Sequence, residues 1–267
     1  MSKETIRSSK WQLAVTYSEV VYEENTLIGR KADLVPGHFG DPLTVEYAQW
    51  SRNDGRANLR KPMFLLLHGW ASNEEDMIGL MKYVAPYNDY VALRAPLDLP
   101  AQHKGPGPVG YTWLHDVFPS GEDLDRDAFA AATAIDRWVG DHVDGDREVV
   151  PLGFSQGGLL AVHLLRLHPE RYRAAICLSG FLAPGVVAGS APADDRLAEL
   201  QLPVFFSYGG SDGVVARNEY LAMSAWLEEY TYLKLHEYPK LDHAVSLSEF
   251  SDLRQWLSDN NIASGII

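Results

Sequence analysis

Six short, largely apolar runs constrain this chain more than any other feature: Met63 to Leu67, Tyr90 to Leu93, Val149 to Phe154, Ala174 to Leu178, Pro203 to Tyr208 and Tyr232 to His236. Runs of this length suit strands buried on both faces. Between them lie stretches with helical periodicity: Asn73 to Val84, Asp125 to His142, Gly157 to Leu167, Ala216 to Tyr230 and Ser246 to Asn260. Strand and helix alternate, which predicts an α/β fold with a mostly parallel sheet, helices on both faces and right-handed crossovers.

The N-terminal part reads differently. Trp11 to Glu23 and Leu43 to Trp50 alternate apolar and polar residues, as half-exposed antiparallel strands do, and predict an N-terminal edge hairpin. No repeat, low-complexity tract or linker divides the 267 residues, so the expectation is one domain, residues 1–61 being a strand extension and 62–260 the core. The Pro/Gly-rich stretch from Ala95 to Gly110 reads as a loop over the sheet.

Some helix ends carry their own signals. Asp125 and Asp127 put negative charge at one helix start, and Ser246 with Glu249 forms a capping-box pattern at another. The stretch from Gly157 to Leu167 is apolar nearly all round, as a centrally buried helix would be.

A net charge of −13 produces a field that repels phosphate backbones and anionic bilayers, and no basic stripe counters it, so nucleic acid is not an expected partner. No segment reaches the roughly 18 apolar residues that span a bilayer, and the polar N-terminus resembles no signal peptide, so the default expectation is a cytoplasmic protein without stable membrane insertion. The single cysteine, Cys177, lies in an apolar run and reads as core.

Between the Val149 to Phe154 run and the buried helix stands Gly153-Phe154-Ser155-Gln156-Gly157-Gly158. A G-x-S-x-G pattern between strand and helix is the setting of a nucleophile elbow: a strained turn presents the serine, and the glycines remove side chains that would strike strand and helix. Pro151 sits within that strand and lacks a ladder donor, which predicts a local irregularity just before the elbow.

A serine nucleophile needs a base and an acid to orient it, in the chain order serine, acid, histidine. Beyond the serine's own helix and the His168 that abuts its end, only His236 and His243 follow, and His236 falls inside a strand, whereas His243 follows it in a loop. Loops at the carboxyl ends of parallel strands are where catalytic groups gather. Asp212, in Gly209-Gly210-Ser211-Asp212-Gly213, follows a buried strand and is the candidate acid, with Asp194 and Asp195 as fallbacks and Asp242 too near His243 in sequence.

Two backbone amides must meet the developing oxyanion, each worth roughly 3 kcal/mol. Gln156 is the first candidate and Trp70, in His68-Gly69-Trp70-Ala71, the second, while His68 reads as structural. No metal-ligand spacing stands out among the histidines; His163 and His168 lack a companion glutamate, and no metal or other cofactor is implied.

With these residues in place, the chain resembles the phospholipase/carboxylesterase family, which includes acyl-protein thioesterases and small bacterial carboxylesterases. The resemblance rests on Phe64-Leu65-Leu66-Leu67-His68-Gly69 with Asp76, Arg94-Ala95-Pro96, Gly110-Tyr111-Thr112-Trp113 with Asp116, and the elbow down to Phe154 and Gln156. Ser179-Gly180-Phe181-Leu182, Gly209 to Val215, and His243 ahead of a helix with Glu249 extend it across about residues 62 to 258.

The resemblance implies an α/β-hydrolase fold and a serine esterase with Ser155, Asp212 and His243 as triad and Trp70 and Gln156 as oxyanion amides. It implies a small acyl ester or thioester as substrate. Two departures stand out: Asp242 replaces the glycine usual before the histidine, and the first sixty residues are longer than in the smallest members, leaving room for an edge hairpin or an oligomer contact such as a homodimer's.

Only a short Pro/Gly/Ala-rich stretch lies between Gly180 and Leu202, where a large lid would be, so a minimal lid and an open site for short to medium acyl chains are expected. Trp113 and Phe181 are candidates to line the acyl groove. An acyltransferase would use the same triad with an alcohol acceptor, and a non-catalytic binding protein on this fold would be expected to lose a triad member.

Overall fold

The computed structural model describes residues 35–51, 61–99 and 110–263. Seven strands form one sheet: β1 (Ala48–Trp50), β2 (Met63–Leu67), β3 (Tyr90–Leu93), β6 (Val149–Phe154), β7 (Ala175–Leu178), β8 (Pro203–Gly209) and β9 (Tyr232–Tyr238). Their spatial order is β1-β3-β2-β6-β7-β8-β9, with β1 antiparallel to β3 and every other pair parallel. Leu97–Asp98 (β4) and Tyr111–Thr112 (β5) make a separate antiparallel ribbon.

Six α-helices complete the described residues: α1 (Glu74–Val84), α2 (Gly121–His142), α3 (Gln156–Leu167), α4 (Asp194–Leu200), α5 (Arg217–Tyr230) and α6 (Leu247–Asp259). The period-two rule of a strand explains the layering. Met63, Leu65 and Leu67 of β2 join the core under α2, α3 and α5, while Phe64 and Leu66 face the core under α1 and α6. Full burial of all five residues is what a central parallel strand requires.

The strand runs agree closely with the sequence reading, but β9 departs from it. Its residues are half-exposed rather than buried on both faces, because it is the last strand and its outer edge has no neighbour among the described residues. At the opposite edge, the expected antiparallel element is reduced to Ala48–Trp50, and Trp11 to Glu23 lie outside the described residues.

Pro151 behaves as its chemistry demands. Beside β2 the strand is unbroken, with Leu65 opposite Pro151. On the β7 side, Val149 faces Tyr172 but Leu152 faces Ile176, so one extra residue has entered between the two pairs. The missing donor of Pro151 falls in that gap.

Helix α2 begins at Gly121, four residues earlier than the charge pattern suggested. Asp125 and Asp127 are therefore inside the helix and fully buried, not dipole-facing surface charges. Asp125 accepts from the amides of Gly185 and Val187, and Asp127 from those of Gly40 and His115. Each ties a distant loop to the helix.

The capping box at Ser246 is formed in both directions, and Glu249 also accepts from the buried hydroxyl of Ser207. Burial pushes the Glu249 carboxyl up from 4.5 to about 7, against those hydrogen bonds. Because the folded value lies above the unfolded one, the folded state holds the extra proton between them. This group's contribution to stability accordingly falls as pH rises through that window. Thermal melts at about pH 5 and pH 8 should show Glu249→Gln gaining relative to the parent at the higher pH. An equal difference at both would contradict this.

Candidate active site

Ser155 occupies the turn between β6 and α3, at φ 55° and ψ −118°, a conformation L-residues rarely adopt. Two backbone bonds hold it there: its N–H donates to Leu178 O at 2.9 Å, and its carbonyl accepts from Leu159 N at 3.0 Å. The flanking glycines are obligatory for close approach. A Cβ on Gly153 would strike the Gly157 carbonyl, and one on Gly157 the Leu67 carbonyl.

Asp212 and His243 come together from separate loops. Gly209 ends β8 so close to the carbonyls of Leu241 and Asp242 that a side chain there could not fit, and this backbone contact brings the two loops side by side. His243 Nδ1 lies 2.7 Å from Asp212 Oδ2, with the two side chains only 5% and 1% exposed. A carboxylate at Nδ1 fixes the tautomer, with the proton on Nδ1 and the lone pair on Nε2.

The imidazole packs on the ring of Phe154, centroids 4.8 Å apart, and so stands beside the elbow. The Ser155 hydroxyl makes no cap bond back to its own helix, and its hydrogen bond to His243 Nε2 is not formed. In unliganded sites such bonds commonly close only around substrate.

The Asp212 carboxylate is saturated. Oδ1 accepts from Val214 N at 2.7 Å and Val215 N at 3.0 Å, and Oδ2 accepts from Tyr220 Oη as well as from His243. Burial alone would raise this carboxyl, but the bonds from His243, Tyr220 and Val215 hold it below the ordinary aspartate value. Asp242, the residue out of place in the sequence pattern, accepts from the His243 amide at 2.8 Å and caps the loop locally.

Opposite the elbow is the turn after β2. His68 Nε2 accepts from Ala95 N at 3.0 Å, so its Nδ1–H donates to Gly69 O at 2.8 Å. Burial keeps the ring neutral, its pKa pushed down to about 4. With the Gly69 carbonyl turned toward His68, the trans peptide aims the Trp70 N–H the opposite way. A Cβ on Gly69 would lie 3.3 Å from Ser155 Cβ, so this turn sits against Ser155. The Gln156 amide, at the first position of α3, has no acceptor within its own helix.

Other sequence candidates land elsewhere. Asp194 is held by Arg166 through bonds of 2.9 and 2.8 Å and does not approach His243. His236 stacks on Phe205 in β9. Trp113 is completely buried and donates Nε1–H to His68 O at 2.9 Å, so it supports the turn from beneath instead of lining an open groove. Phe181 is also buried, against Phe118 at 5.0 Å between centroids. Cys177 is core, its thiol pushed up to about 12 by burial.

Two features had no sequence signal strong enough to find them. The Gln156 side chain accepts from Thr112 Oγ1 and donates to the carbonyls of Asp116 and Val117, stitching the segment after β5 to the elbow. The second is the Tyr220 hydroxyl on Asp212; its position on α5 gives it a helix-core periodicity that conceals a polar role.

The short connection between β7 and α4 is nailed down, not hinged. Arg166, 1% exposed, holds Ala183 O and Asp194; His163 bonds Ser190 O; and Asp125 takes the two amides noted above.

The family model for phospholipases/carboxylesterases matches residues 56–261. A probable carboxylesterase of rice, Oryza sativa subsp. japonica, is 30% identical over 143 residues, which cover 50% of this chain and 59% of the relative. A second rice relative of the same description is 28% identical, over 49% of this chain and 48% of the relative. The chain thus spans about half to three fifths of these two. Acyl-protein thioesterase 1 of Debaryomyces hansenii is 25% identical over 64% of this chain and 75% of its own length.

Among solved structures, Zea mays acyl-protein thioesterase 2 superposes with a TM-score of 0.63 at 20% identity, covering 80% of this chain and 98% of that one. Esterase PE8 gives 0.61 at 23%, covering 82% and 99%. At these identities the likeness speaks for the fold, which is that of the α/β-hydrolases.

Proposed function

The chain belongs to the phospholipase/carboxylesterase family, and on that premise we propose that it is a serine esterase cleaving short- to medium-chain acyl esters or thioesters through an acyl-enzyme. The observation that carries this reading is the convergence of Ser155, on its strained elbow, with a His243–Asp212 pair bonded at 2.7 Å and packed against Phe154.

In the proposed reaction, His243 Nε2 takes the Ser155 hydroxyl proton while Oγ bonds to the acyl carbon. The carbonyl π electrons move to oxygen, facing the amides of Gln156 and Trp70. The tetrahedral adduct collapses, the C–O or C–S bond breaks, and the leaving alcohol or thiol receives the proton from His243. Water then repeats the sequence on the acyl-enzyme and releases the acid. Asp212 holds the tautomer throughout and supports the imidazolium as it forms.

The anchored connection after β7 supports a site over which that segment does not move as a cover, which favours small acyl groups over bulky triglycerides. The relatives include probable carboxylesterases and an acyl-protein thioesterase, so oxygen and sulfur esters both stand within the proposal.

The test is labelling with a fluorophosphonate followed by peptide mapping. One adduct on Ser155, absent from His243→Ala, is the expected result, together with turnover of a graded panel of acyl esters and thioesters. Phosphonylation spread over several serines, or none, would refute the assignment. Added alcohols separate the hydrolase from an acyltransferase, which would yield a new ester in place of the free acid.

A further inference from the structure

Asp212 Oδ2 is shared by two donors, His243 Nδ1 at 2.7 Å and the hydroxyl of Tyr220 at 2.5 Å. The phenol is 1% exposed, and its ring stacks on Tyr208 with centroids 4.5 Å apart and planes 13° from parallel. Phe206 borders the ring on another side, at 6.2 Å. A buried phenol needs an acceptor, and packing on both rings leaves this one a fixed direction toward Asp212.

We propose that Tyr220 is a positioning residue of the esterase site: it locks the Asp212 carboxylate in the rotamer that receives His243 and, by drawing on the same oxygen, limits how strongly that carboxylate stabilises the imidazolium. The proposal rests on the triad reading above and deepens it. With both Oδ1 bonds coming from the backbone amides of Val214 and Val215, Tyr220 is the side chain beside the histidine that orients this carboxylate.

Other charged or titratable groups packed around the pair have their own commitments. Asp242, in the histidine's loop, accepts from the His243 amide; Arg217 at the start of α5 pairs with Glu237 of β9; Glu249 of α6 is bonded to Ser207. Lys240 lies on the exposed side of the same loop. Cys177 of β7 is buried behind the phenol, whose own ionisation is driven upward by burial and by Asp212. Beside the phenol, the buried Ser179 hydroxyl stands outside good hydrogen-bond geometry.

Tyr220→Phe removes the donor and keeps the ring. The carboxylate then concentrates its charge on the histidine, so the imidazolium gains stability. In kcat/KM profiles on an activated ester, the acidic limb should move to higher pH by about half a unit, the effect expected of one lost hydrogen bond. The plateau of kcat should fall roughly 3- to 10-fold through looser orientation, with KM little changed.

A limb that stays in place, whatever the plateau does, means that Tyr220 only fills space and overturns the proposal. Should Tyr220→Phe fail to fold, 3-fluorotyrosine at position 220 keeps the ring and strengthens the donor, and the limb should move to lower pH instead. A readout independent of turnover is the far-downfield proton resonance of His243 Nδ1, identified by its loss in His243→Gln. It should move further downfield in Tyr220→Phe; no shift, or an upfield one, refutes the proposal. An inactive parent protein would count against the esterase reading alone, since this resonance reports the Tyr220–Asp212–His243 contact directly.

Discussion

Alanine in place of Ser155 should leave a folded protein whose turnover of an activated ester has fallen by ~10⁴ or more. The fold is expected to survive because the elbow is held by backbone, through Ser155 N to Leu178 O and Leu159 N to Ser155 O, and alanine keeps both bonds. The positive φ costs alanine about what it costs serine, since each carries a Cβ. Loss of the hydroxyl removes the only atom in the scheme that forms a covalent bond to the acyl carbon. What remains is amide polarisation and binding, which in related constellations retain a small fraction of the rate. The measurement is kcat/KM for the variant, purified on fresh resin, beside a melting curve. Turnover within tenfold of the parent, with no fluorophosphonate-reactive contaminant, would end the esterase mechanism as drawn.

The buried strands were legible because their chemistry is local. A run such as Met63 to Leu67 has no polar residue that could face water, so it can only be central, and Tyr90 to Leu93 and Val149 to Phe154 begin and end where their runs do. The elbow was legible for a similar reason: Gly153, Ser155 and Gly157 are neighbours in sequence and in space. Asp212 and His243 could be narrowed by chain order, though their pairing depends on a backbone contact between Gly209 and the carbonyls of Leu241 and Asp242 that no periodicity encodes.

Contacts across long separations were hidden. Asp125 reads as a helix-start charge, yet its partners are amides about sixty positions away, at Gly185 and Val187. Trp113 reads as a groove aromatic because aromatics often line grooves, but its indole N–H is committed to the carbonyl of His68. The short helix α4 was missed because its seven residues, Asp194–Leu200, offer too little periodicity, with Leu197 its one fully buried side chain. In each case the deciding partner lies on another element, and the local pattern fits the wrong role equally well.

The same distinction between local and distant constraint predicts which glycine the fold cannot lose. Gly153→Ala should destabilise the protein by on the order of 3 kcal/mol or more, because a Cβ there meets backbone and not a side chain that could swing away. Its obstacle is the Gly157 carbonyl, and Gly157 is itself pressed against the Leu67 carbonyl, so relief would have to pass through the elbow into β2. That is the strand whose following turn carries Gly69 and Trp70, and a shift there would misplace Ser155 and the proposed oxyanion amide of Trp70 together. Gly79→Ala is the matched control. It lies within α1 with nothing within 4 Å of the added carbon, and alanine's better helix propensity should raise stability by about 0.5–1 kcal/mol. Denaturant titrations of the two variants should therefore move in opposite directions. If Gly153→Ala unfolded at the parent's midpoint, the backbone would have found room that the packing of β6 on α3 does not provide, and the rigidity assigned to the elbow would be lost with it.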